Sequence, residues 1–244
     1  MNKLLTDKIY HPVLYFFLIG FLSLLVGSVL ALEFSAFNAL AFVLFYLFIL
    51  VNQFIESILL RVPKQDYELS KKILLFSEAI NLSLILYFIK DYSLTAGIIL
   101  FLYSLIIQCQ FLFSYYNLEK TAAFIASFFK VFLVTGFSFY IHLYFIDSYL
   151  ILYSLGLFFP YFIYELAKIK DLKLKKKILI LSFLSYLIAL LILWNRISYF
   201  SLLLFLTIPF SLLGSKKINR KNSASFLIIF SLVYSLLLSL PLIL

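Results

Sequence analysis

The stretch from Leu50 to Lys72, LVNQFIESILLRVPKQDYELSKK, decides how this chain is read. It starts inside an apolar run and ends in a basic one, and between them it gathers Asn52, Gln53, Glu56, Asp66 and Glu68. Asn52 and Glu56 are four residues apart, which puts them on one helix face. Glu56 lies about one and a half turns before Arg61, near the end of an apolar helix. Polar groups placed there either bind something or fix a helix bundle together.

The rest of the chain sets the context. Of its 244 residues, 65% are hydrophobic and 13% charged, and the mean hydropathy is +1.11. So few charges cannot cover so much apolar surface in water, which excludes a soluble fold and points to a polytopic membrane protein. The 30 Phe suit lipid contact and helix packing, and the 18 Tyr also suit the membrane interface. Cys109 is the single cysteine, so neither an internal disulfide nor a cysteine metal site forms. The basic start and apolar run over residues 1–32 read as a first span rather than a cleaved signal, because the run is long and more spans follow.

A helical span needs about 20 apolar residues. Breaking the chain at charges and turn residues gives nine, over 13–32, 36–60, 73–89, 94–114, 122–146, 149–168, 178–194, 198–213 and 225–244. In lipid the backbone must satisfy its own hydrogen bonds, and runs of this length do so as helices. The expected fold is an all-α bundle of about nine transmembrane helices forming one domain over 1–244. Of the Lys and Arg residues, all but Lys90, Lys130 and Arg196 fall on the face that carries the N-terminus. By the positive-inside rule that face is cytoplasmic and the C-terminus lies outside the cell membrane. The formal charge of +9 then reflects topology and attraction to anionic lipid, not a nucleic-acid partner. The polar connections at 52–72 and 165–177 share the cytoplasmic side, and any chemistry is expected there.

Ionisable residues inside spans are costly and are candidates for function. They are Glu56, Glu78, Lys130, His142 and Glu165, with Asn52, Gln53, Asn81, Gln108 and Gln110 as neutral companions. Glu165 ends the sixth span as Glu56 ends the second. Two carboxylates at one depth on different helices suit Mg²⁺ and a phosphorylated ligand, since Mg²⁺ takes one or two carboxylates and bridges to phosphate. The alternative is that Glu165 pairs with Lys168 on its own helix and Glu56 is satisfied by a neighbour. Glu78 and Asn81 share a face and either look toward Glu56 or bond to another helix. Gln110, Ser114 and Asn117 form a stripe at helical spacing, for a helix interface or a pocket. Lys130 either snorkels or pairs with an acid. His142, near the outer end of the fifth span, reads as an interfacial residue. No catalytic triad, His metal pair or glycine-rich phosphate loop is present.

The layout resembles the UbiA superfamily of intramembrane prenyltransferases. That family carries Asn-Asp-x-x-Asp-x-x-x-Asp after its second helix and a second acidic motif after its sixth. Here Asn52-Gln53-Phe54-Ile55-Glu56 through Leu60 keeps the Asn and one acid, while Gln53 and Leu60 replace two Asp. Arg61-Val62-Pro63-Lys64 resembles the family's turn into the third helix, and Tyr115 to Lys120 its turn after the fourth. Tyr164-Glu165-Leu166-Ala167-Lys168-Ile169 resembles one branch's second motif, with Asp171 as its later acid. The resemblance implies Mg²⁺ on Glu56, Glu165 and Asp171, with Asn52, Glu56 and Glu165 as catalytic residues. It further implies an isoprenyl diphosphate held by Arg61, Tyr115, Lys120, Lys168 and Lys170, and an aromatic or lipid-like acceptor. The loss of two acids leaves a second expectation open: a non-catalytic descendant that holds membrane lipid or assembles a complex. A transporter ranks last, because the outer halves of the helices offer few polar groups.

Overall fold

The computed structural model describes residues 17, 20, 21, 24–59, 71–167, 175–193, 233, 234 and 237. Among them every regular element is a helix. In order these are α1 (24–32), α2 (Ala39–Leu59), α3 (Lys71–Asp91), α4 (Leu94–Gln108), α5 (Gln110–Tyr115), α6 (Glu119–Phe128), a π turn (Phe129–Leu133), α7 (Val134–Leu143), α8 (Tyr149–Ala167) and α9 (Lys175–Leu193). Among the described residues, four continuous segments are long and apolar enough to cross a membrane: Ala39–Leu59, Lys71–Asp91, Leu94–Phe113 and Glu119–Leu143. The helices from α2 to α9 follow the six spans expected between 36 and 194, because the charges and turn residues that bound the apolar runs also end the helices. The eighth expected span lies outside the described residues, and the ninth is described only at Val233, Tyr234 and Leu237.

Local chemistry sets the helix ends. The Asn38 side chain accepts a hydrogen bond from the Ala41 amide at 3.2 Å and opens α2. Ser93 caps α4 in the same way, accepting from Ala96 N at 3.1 Å. Asn117 (φ 58°) and Tyr144 (φ 61°) take left-handed conformations after α5 and α7 and stop those helices. Pro160 sits inside α8, a position membrane helices tolerate because neighbours satisfy the freed carbonyl.

Two layers pack around α7. On one side α2, α3 and α4 bury Phe45, Phe48, Phe88, Tyr103 and Phe137. On the other, α1, α8 and α9 bury Phe139, Tyr153, Leu157 and Tyr161. Gly27 lets α1 approach α7 closely: a Cβ there would run into the Thr135 carbonyl and the Ser138 hydroxyl. Such small-residue contacts drive helix association in lipid, where burial of apolar surface supplies no net force between helices. The outward faces stay apolar, with Leu75 and Phe76 each 69% exposed, as a hydrocarbon solvent allows and water does not.

Candidate functional site: an ion triad between three helices

The polar groups at the end of α2 converge on one buried lysine. Lys130 falls on the buried face of the α6–α7 rod, seven residues after Ala123 and three after Ser127. The π turn begins beside it. A π turn adds a residue to the helical ring and marks functional positions in many helices. The Lys130 ammonium donates to both oxygens of Glu56, at 2.9 and 2.7 Å, and to Oε1 of Glu165 at 3.1 Å. All three residues are buried, at 5% exposure each. One cation therefore ties α2, the π turn and α8 together, and the triad keeps a formal charge of −1.

A second polar group lies one turn away. Asn52 donates to the Phe48 carbonyl at 3.0 Å and to Oδ1 of Asn81 at 2.9 Å. Asn81 in turn donates to Ser104 at 3.1 Å and to Glu78 at 3.4 Å. This links α2, α3 and α4. Tyr103, fully buried, stands within electrostatic reach of Lys130, Glu56 and Glu165. Three buried atoms of this region have no hydrogen-bond partner: Asn52 Oδ1, Gln53 Oε1 and Tyr103 OH. Buried polar atoms of this kind are commonly met by water or a ligand.

Of the expected site residues, the structure brings Asn52, Glu56 and Glu165 to the same end of the bundle. Glu165 pairs with Lys130 across the bundle, and Lys130 holds both acids rather than snorkelling. Asn81 bonds to other helices instead of facing Glu56. Tyr115 and Lys120 are exposed and stand apart from the triad. Arg61, Lys168, Lys170 and Asp171 lie outside the described residues. Of the polar stripe of span four, Gln110 and Ser114 lie together on α5, whereas Asn117 lies in a left-handed turn beyond it. His142 accepts from the Asn38 amide at 3.1 Å and stacks on Phe37, so it fastens the start of α2 to the end of α7. Ser104 and Tyr103 gave no signal in the sequence, because nothing in an apolar run marks which hydroxyl meets a partner helix.

Of the expected metal ligands, Glu56 and Glu165 are the two described, and both are held by an ammonium. Mg²⁺ demands oxygens at about 2.0–2.1 Å in octahedral geometry. Glu56 already spends both oxygens on an ammonium, and a divalent ion beside it would sit within a few ångströms of another positive charge. No group of three metal-ligating His, Cys, Asp or Glu side chains gathers among the described residues.

No protein-family model, curated protein or solved structure matches this chain.

Proposed function

We propose that this chain is a non-catalytic, multi-pass membrane protein of UbiA-like layout that holds membrane lipid or a membrane partner. Its N-terminus faces the cytoplasm and its C-terminus the outside, with about nine helices in all. The observation that carries this reading is the lysine between the two acids. In the resemblance, the acids after the second and sixth helices serve a metal and a diphosphate. Here an internal cation satisfies them, and Asn52 is engaged with Asn81. A buried, paired network of this kind fixes helix register and orientation.

A second reading keeps the enzyme. The unpartnered atoms of Asn52, Gln53 and Tyr103 favour it, since their bonding capacity is unmet within the protein. In that reading Lys130 turns from the carboxylates to the diphosphate of an isoprenyl donor. The C1–O bond breaks, C1 bonds to the acceptor nucleophile, and the acceptor's proton passes to a carboxylate as diphosphate leaves.

Titration of the purified protein with a long isoprenyl diphosphate, with and without Mg²⁺, separates the two. The non-catalytic reading expects uptake that ignores Mg²⁺ and is unchanged in Glu56→Gln/Glu165→Gln, with no diphosphate released. Saturable binding that the double variant loses, or release of diphosphate with an acceptor present, overturns it in favour of the enzyme.

A further inference from the structure

A cavity of about 490 Å³ opens between α4 and the rod formed by the π turn and α7, running from the π turn to the connection after α7. That volume lies within the range of about 300–1,000 Å³ typical of small-molecule sites. Ile99, Phe132, Leu133 and Phe137 wall it, and Phe145 and Ile146 form its rim. Among the described residues, its side-chain polar groups are the hydroxyls of Thr95 and Tyr140, both at the end nearest the loops.

Gly136 lines the cavity, and it differs from the other glycines. A Cβ at Gly27 or Gly97 would collide with a packed neighbour, whereas a Cβ at Gly136 would meet nothing within 4 Å. Gly136 thus serves no close helix contact. Glycine costs helix stability relative to alanine, and what this one supplies is depth of the groove.

The position of the mouth says what enters. Tyr92, Tyr140 and Tyr144 cluster there, with ring centroids 5.2–6.2 Å apart. Asp91 ends α3, and Asp147 stands in the connection before α8. Tyrosines beside charged turns mark the membrane–water interface. The groove therefore starts at the interface and runs into the hydrocarbon between two membrane-length helices. Water is disfavoured along apolar walls, so a lipid chain is what fills it. Hydroxyls at the mouth match the ester groups of a glycerolipid, which lie at that depth.

We propose that the Gly136 groove is a binding site for one acyl chain of a bilayer phospholipid, with Thr95 and Tyr140 meeting the ester linkage. This names the ligand of the lipid-holding reading, but it rests on residues other than those of the triad.

The test uses the full chain reconstituted in phosphatidylcholine–phosphatidylglycerol vesicles, then extracted in mild detergent. Bound lipids are identified and counted by native mass spectrometry. The parent is expected to retain one phospholipid, and Gly136→Leu to lose it by about tenfold or more. Gly136→Ala, which narrows the groove without blocking it, is expected to retain it partly. Thermal unfolding of both variants should match or exceed the parent, because the added atoms enter open space. Equal retention by parent and Gly136→Leu overturns the proposal. So does a parent that holds no lipid, or one whose Gly136-dependent occupant proves to be an isoprenoid. Isoprenyl transfer in the earlier titration would sink the non-catalytic reading and leave this groove standing. Equal lipid retention would remove the groove and leave the triad untouched.

Discussion

Lys130 Nζ lies 2.7 Å from Oε2 of Glu56, although 74 residues separate them in the chain. The same ammonium reaches Glu165 at 3.1 Å. Lys130 belongs to the helix of neither acid, so this pairing exists only when α2, the π turn and α8 are assembled.

Removing the cation should be severe. Lys130→Met strands two carboxylates in the bundle, and breaking a buried pair costs about 3–5 kcal/mol. Glu56→Gln/Lys130→Met/Glu165→Gln removes all the charges together and should recover most of that loss. Reversible unfolding in mild detergent measures both. A Lys130→Met protein as stable as the parent would show that the triad holds nothing together.

The Asn52–Asn81 bond is neutral and should count for less. Interhelical hydrogen bonds in membrane proteins contribute about 0.6–2 kcal/mol. Asn81→Leu should cost an amount in this range, and more than Ser83→Ala, whose hydroxyl is exposed and bonds only within its own helix. A double-mutant cycle on Asn52 and Asn81 isolates the pair. Zero coupling would mean that the two amides are satisfied independently.

Two glycines of one bundle should respond with opposite sign. Gly27→Ala pushes α1 off the Thr135 carbonyl, and overpacking of this kind costs about 1–3 kcal/mol. Gly136→Ala enters open space and should gain about 0.5–1 kcal/mol of helix propensity. Thermal melts of the two variants side by side give the comparison, and equal shifts would contradict the packing described for α1.

High pH should loosen the loop end of the bundle. Tyr92 lies between α3 and α4, donates to the Ile141 carbonyl at 3.0 Å and accepts from Asn38 at 3.3 Å. Burial first, then the neighbouring Tyr144, Tyr87 and Asp91, push its hydroxyl well above the ordinary tyrosine range. The unfolded chain ionises at about pH 10 and the folded one does not. The unfolded state then binds fewer protons, so stability falls as pH rises above about 10. Tyr92→Phe should lose part of that fall while being slightly less stable near neutrality. Identical pH profiles for the two proteins would remove Tyr92 as a contributor.

The sequence by itself determined the secondary structure and the membrane character. Apolar runs bounded by Lys90-Asp91, Asn117-Leu118-Glu119 and Asp147-Ser148 have one economical conformation in lipid, and the helices follow them. It also determined that Glu56 and Glu165 end two of those helices, because depth along a span can be counted residue by residue. Only the tertiary structure decided what the acids meet. Which helix faces which depends on contacts such as Gly27 against Thr135, and these leave no periodic trace in a chain apolar on every side. Lys130 shows the difference most plainly. Its place in the middle of a span marked it as costly, but its two partners lie 74 and 35 residues away. In sequence the same two carboxylates suit a metal site or an internal salt bridge, and only the folded bundle brings the Lys130 ammonium between them.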